Sequence, residues 1–190
     1  MVAGVIAILA FVPYIISILR KKTKPVLATW IVFFVLNWFT VISIMNMNEQ
    51  TALFVPWGFA IGASLTLGLA FVYAESYKLS DMFSKMDIIC LVIASMGVTT
   101  MIITGDGTIA LYSSLFAFIV GATPTVIHCL KKPEEEDALA WILFGLTAIL
   151  NLMHVPNWES FDTAIYPIVN ALIDVPIALI MLRAKLKGIA

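Results

Sequence analysis

Four side chains stand in apolar surroundings where they could meet a small solute: Asn37, Trp38, Asn170 and Asp174. Asp174 is the most demanding of them. It falls about twelve residues into an apolar run, which at 1.5 Å per helical residue puts it near the centre of a bilayer. A carboxylate there costs roughly 2.5–3.5 kcal/mol. The base nearest to it in its own run is Arg183, at the very end and nine residues away, too far to pair with it. Asp174 is therefore predicted to face a polar cavity or the inside of a helix bundle. There it would hold a solute, carry a coupling proton, or simply hydrogen-bond a neighbouring helix. Asn170 precedes it by one turn on the same face, and Pro167 continues that stripe. Asn37 lies seven residues after Trp30, on one helical face, with Trp38 beside it. An amide that reads hydroxyls and a ring that stacks would suit a sugar or a heterocycle. A single intramembrane Asn also serves as interhelical glue.

Other polar residues carry less. His128 follows Pro124 by four residues and His154 closes a later run. Neither is placed to meet Asp174, so a proton relay through them is not favoured. The two Cys and two His are dispersed, and no metal site follows. No phosphate-binding glycine loop or Ser-centred elbow appears, so no cofactor and no catalytic residue is expected. Seven apolar runs invite comparison with retinal proteins, but every Lys falls in a loop or tail. Glu134, Glu135, Glu136 and Asp137 read as a solvated helix start, in favourable register with the positive end of the dipole.

The elements that would position these side chains follow from composition and charge. Apolar residues make up 62% of 190 residues, more than a soluble domain of this size can hide. A helical span needs about twenty residues. Seven runs qualify: 2–19, 26–45, 52–73, 87–104, 109–130, 138–155 and 162–183. The eleven Lys and Arg fall into four clusters: Arg20 to Lys24, Lys78 with Lys85, Lys131-Lys132, and Arg183 to Lys187. The remaining connectors carry Glu49, Asp106 and Glu159 and no base. Basic residues stay on the cytoplasmic side during insertion, so the N-terminus is predicted outside and the C-terminus inside. The first run has its charge after it rather than before it, which reads as a retained helix and not a signal peptide. A net charge of −1 gives no support to nucleic acid binding.

The chain also matches itself at an offset of 111 residues. Pro13 pairs with Pro124, Lys21 with Lys132, Trp30 with Trp141, Phe33 with Phe144, and Pro56 with Pro167. The repeat unit is three spans, with the fourth span as a linker that turns the second copy the same way up as the first. The predicted domains are 1–73, 74–106 and 107–190. Prolines inside spans remove a backbone donor and free a carbonyl one turn earlier. Pro13, Pro124, Pro56 and Pro167, in repeat register, are predicted helix hinges.

The layout of three, one and three spans resembles the SWEET and PQ-loop superfamily of transporters, built from parallel repeats. The repeated segment Val12-Pro13…Leu19-Arg20-Lys21…Trp30 looks like its PQ-loop motif, with Tyr14 and Thr125 where the motif has glutamine. The segments Thr23-Lys24-Pro25…Thr29-Trp30 and Tyr166-Pro167 are also similar to a group of bacterial membrane proteins without assigned function. The resemblance implies an all-α integral membrane fold of seven transmembrane helices, as two parallel three-helix bundles joined by a linker helix. It implies a transporter, and not an enzyme, that moves a sugar, vitamin or amino acid by alternating access in the bacterial inner (plasma) membrane. Asn170 matches a pocket asparagine of such proteins on the seventh helix. Its repeat mate is Phe59 and that of Asp174 is Ala63, so the twofold pocket is broken. The expected cavity lies between the bundles, lined by Asn37, Trp38, Asn170 and Asp174. The expected partners are the lipid bilayer and a small polar solute, with a homo-oligomer left open. The alternative is a non-transporting receptor or scaffold on the same fold.

Overall fold

The computed structural model describes residues 2–46, 54–74, 85–105, 107–155, 158 and 161–189. Glu49, Lys78, Asp106 and Glu159, on which part of the charge reading rests, lie outside the described residues. Among those described, all regular structure is helical. The α-helices are α1 (Val2–Leu19), α2 (Leu27–Asn46), α3 (Phe54–Ala74), α4 (Lys85–Thr104), α5 (Gly107–Lys131), α6 (Ala138–Met153) and α7 (Phe161–Leu186). Each begins and ends within three residues of an apolar run. Three are long and apolar enough to cross a membrane: α3 over Phe54–Val72, α5 over Leu111–Lys131 and α7 over Ala164–Leu186. Shorter apolar stretches occupy Gly4–Leu19, Leu27–Ile42 and Ala138–Met153.

Local chemistry sets the helix ends. After α1, Lys22 N–H donates to the Ser17 carbonyl and Lys21 N–H to that of Ile18. This is a Schellman turn, with Lys21 in the left-handed conformation at φ 58°. The end of α7 repeats the pattern: Ile189 N–H reaches Ala184, Gly188 N–H reaches Lys185, and Gly188 sits at φ 70°. Arg183 and Lys185 suit the negative end of that helix dipole. Pro133 does not open the sixth helix. It opens a separate 3-10 turn, Pro133–Glu135, and α6 starts five residues after Pro133 with Asp137 as its N-cap. The Asp137 carboxylate accepts from Ala140 N–H at 2.8 Å.

Many large apolar side chains are exposed. The outer faces carry large apolar side chains, among them Ile8 and Val12 on α1, Ile88 and Val92 on α4, and Leu172 and Leu179 on α7. The inside holds Asn37, Thr40, Thr66, Thr147, Asn170 and Asp174 beside apolar residues. Large exposed apolar faces with polar groups hidden behind them mark a surface meant for an apolar environment.

Contacts divide the chain into two compact units. One comprises Met1–Lys24 and His128–Ala190, the other Pro25–Ile127. In the first unit α1 packs on α6, and α6 packs on α7. Phe11, Tyr14, Trp141 and Phe144 interlock there edge to face, with Phe11 and Phe144 centroids 4.7 Å apart. In the second unit α2 packs on α3 and on α4. There α5 meets α2 through the stacked rings of Phe33 and Phe118, 4.6 Å apart. Gly121 of α5 lies against Val32 of α2, leaving no room for a Cβ. Each unit thus joins the first helix of one predicted repeat to the second helix of the other. The predicted boundaries at 73 and 106 follow the sequence repeat, whereas the packing exchanges the first helices.

Candidate functional site

The polar stripe on α7 has three members. Tyr166, Asn170 and Asp174 follow one another at intervals of four residues, and all are buried. Tyr166 and Asn170 approach each other without meeting hydrogen-bond geometry. The Tyr166 hydroxyl and Asn170 Nδ2 are both buried without a hydrogen-bond partner. A buried donor left unmade costs roughly 1–3 kcal/mol. Two in consecutive turns beside a carboxylate form an arrangement that a solute with hydroxyl or carbonyl oxygens would satisfy. Gly145 of α6 lets α7 come close at this level. A Cβ there would lie 2.5 Å from Ala178 Cβ and 3.3 Å from the Asp174 carbonyl oxygen. Ile173, Ile177 and Met181 fill the rest of that face of α7.

Asn37 and Trp38 belong to the other unit and are engaged locally. Asn37 Nδ2 donates to the Phe33 carbonyl of its own helix at 2.7 Å. Trp38 Nε1 donates to Ser64 Oγ at 3.0 Å, and the Ser64 hydroxyl donates to the Ala60 carbonyl at 2.7 Å. The Trp38 ring meets Trp57 edge-on at 5.5 Å. Of the four prolines predicted as hinges, Pro13, Pro124 and Pro167 stand inside helices, as does Pro176. Pro56 has less than one turn of described helix before it.

The acidic run between α5 and α6 departs from the solvated helix start expected of it. Asp137 caps, but the first turn of α6 contains no acid. Glu136 is buried, 6% exposed, and its Oε2 accepts from the Tyr14 hydroxyl at 3.1 Å and from Trp141 Nε1 at 3.0 Å. The residue before an N-cap usually carries an apolar side chain that packs against the fourth helical residue. Here that pair is Glu136 and Trp141, and a hydrogen bond takes the place of the apolar contact. Burial pushes the Glu136 carboxyl up to about 8, against the lowering pull of Trp141 and Tyr14; neighbouring Asp137 and Glu135 add to the rise. Glu135 behaves oppositely. Its partial burial is outweighed by Lys24, 2.7 Å away, and Lys132, 3.4 Å away, which hold it below the usual carboxylate range. Lys24 N–H also donates to the Glu135 carbonyl at 2.8 Å.

Sequence reasoning missed Tyr166 and Glu136. Tyr166 was legible, because the stripe through Asn170 and Asp174 extends to it by the same step of four. Glu136 carried one signal, its place just before an Asp that can cap. Comparison with family models, curated proteins and solved structures finds no match to this chain.

Proposed function

We propose that the chain is a membrane transporter of the SWEET and PQ-loop kind that moves a small polar solute by alternating access. In this reading it crosses the bacterial inner membrane seven times, N-terminus outside and C-terminus in the cytoplasm, as two parallel three-helix repeats joined by α4. The contact between Lys24 and Glu135 supports the duplication. Those residues are separated by 111 positions, the repeat offset, and equivalent positions of two copies meet only near the axis that relates them. The observation that carries the solute site is the pair of unmade donors, Tyr166 OH and Asn170 Nδ2, in line with Asp174. Those three residues contact the solute, and Asp174 either accepts from its hydroxyls or carries a coupling proton. Pro167, one turn from Asn170, supplies the break at which α7 can flex.

The test is binding and flux on one preparation. A thermal-shift screen across sugars, vitamins and amino acids at two pH values identifies the solute class, and proteoliposome uptake of the hits measures transport. Uptake and thermal shift are expected to vanish together in Asp174→Asn. Uptake that survives unchanged in both Asp174→Asn and Asn170→Ala removes the site. A second reading, a receptor or scaffold that binds without transport, is favoured by the buried Phe59 and Ala63 at the repeat positions of Asn170 and Asp174. It predicts a thermal shift with no flux.

A further inference from the structure

The corner where α1, α5 and α6 meet holds two buried polar atoms that face each other and bond to nothing. Glu136 Oε1 and His128 Nε2 stand 4.0 Å apart, and neither has a hydrogen-bond partner. Glu135 Oε2 lies 3.6 Å from the same His128 nitrogen. On its other oxygen Glu136 is fully used, by Tyr14 from α1 and Trp141 from α6. A carboxylate with two donors on one oxygen and an empty, enclosed second oxygen is a poor resting state for a charge. Closing the gap by about 1 Å would give an ordinary hydrogen bond carrying one proton.

We propose that Glu136 and His128 form a proton-binding site, in which a single proton is held between Glu136 Oε1 and His128 Nε2. The ligand is the proton itself. Binding adds one H⁺ from solvent to the pair of Glu136 carboxylate and neutral His128, and release returns it. His128 is the entry point, since its side chain is 20% exposed while that of Glu136 is 0% exposed. The surrounding charges leave the site dependent on that proton. Lys24 and Lys132 are both engaged by Glu135, and both also bear on His128. From the turn, Glu135 and Asp137 add negative charge beside Glu136, and Glu135 and Glu134 do so beside His128. From α5, Cys129 also neighbours Glu136, and from α1 the titratable group is Tyr14. Among the described residues no three His, Cys, Asp or Glu side chains come together as a metal site. The proton site stands whether or not the chain transports.

The sign of the linkage follows from the raised carboxyl. Glu136 binds its proton more tightly folded than unfolded. The stability this gives is complete below the ordinary value of 4.5 and is lost as pH rises through about 8. The test is a pH titration of the full chain in lipid nanodiscs, followed by infrared difference spectroscopy of the protonated carboxyl and by thermal melting. The wild type is expected to show a carboxyl band that disappears with a midpoint near 8, and a melting temperature that falls over the same range. Glu136→Gln is expected to remove the Glu136 band and the fall in melting temperature that goes with it, leaving only what the buried Asp174 contributes. Tyr14→Phe removes a donor to the carboxylate and is expected to raise the midpoint. His128→Ala removes the second holder of the proton and is expected to lower it. The last two variants keep the acid, so they test the site even if Glu136→Gln fails to fold. A wild type with no carboxyl band titrating between pH 5 and 9, or a band unchanged in Glu136→Gln, overturns the proposal. A midpoint that His128→Ala leaves unmoved overturns the shared proton.

Discussion

Asn37 and Asn170 are each 2% exposed, each on an apolar helix and each an amide in a place that disfavours one. They differ in what their donors do. Asn37 spends its Nδ2 on the carbonyl four residues back in its own helix. Asn170 has the same kind of carbonyl one turn behind it and does not use it, so its Nδ2 stays open. Their immediate neighbours differ alike. Near Asn37, Trp38 and Ser64 close a chain of hydrogen bonds that ends on backbone. Around Asn170, Tyr166 is a second open donor and Asp174 a buried acid. A polar group that bonds back into its helix is structural, because the helix alone satisfies it. One left open costs about 1–3 kcal/mol, and in the proposed transport reading the solute satisfies that of Asn170.

The sharpest way to break this contrast is to remove both amides. Asn170→Ala should cut proteoliposome flux by roughly tenfold to a hundredfold, the equivalent of one lost hydrogen bond to a bound solute. Asn37→Ala should leave flux within about twofold, because it loses only a bond inside α2. A large flux defect in Asn37→Ala with none in Asn170→Ala would reverse the assignment of the two units.

Sequence alone could not make this distinction. An intramembrane asparagine always has a carbonyl four residues behind it, and whether it turns to that carbonyl depends on its neighbours. The helices themselves were legible, since apolar runs of this length leave the backbone few alternatives. Asp174 was legible as an acid that must face inward, because the base nearest to it in its own run, Arg183, is nine residues away. The acidic run was not. Pro133 and four successive acids look like one helix start, and nothing in their types says that Asp137 caps while Glu136 turns inward to Tyr14, 122 positions away. The grouping of α1 with α6 was equally hidden, because a repeat specifies which helices are alike and not which ones touch.

Next in size are the two close helix contacts, one in each unit. Ala at Gly145 would clash with Ala178, whose methyl has no rotamer to change, so α6 and α7 must separate. Ala at Gly121 would overlap Val32 Cγ1 and come within 2.8 Å of Val32 Cβ; turning χ1 moves the first and not the second, so α2 and α5 must separate as well. Overpacking costs about 1–3 kcal/mol and the gain in helix propensity returns about 1. Gly145→Ala and Gly121→Ala should therefore each lose up to roughly 2 kcal/mol in denaturant titration. Because Gly145 also sets how closely α6 approaches Asp174, only the first should reduce flux as well.

Ser64→Ala probes the closed side. It strands the Trp38 indole N–H, which is half-buried, at a cost of about 1 kcal/mol. Thermal melting should report that loss while flux stays unchanged. A flux defect there would make Trp38 a solute contact rather than a structural one.

The smallest effect serves as the control that separates stability from function. Within one unit, α1 and α7 end in the same turn, but the left-handed position holds Lys21 in one and Gly188 in the other. A side chain in that conformation costs roughly 1 kcal/mol that glycine avoids. Glycine also loses more freedom on folding, so the net gain from Lys21→Gly should be about 0.5 kcal/mol. The melting temperature should then rise by a degree or two, roughly as expected for a chain of this size. Lys21 is remote in sequence from the α7 stripe, and flux should not change. If stabilising α1 in this way does alter flux, the end of α1 takes part in the transport cycle, and a melting shift could no longer be read apart from function anywhere in that unit.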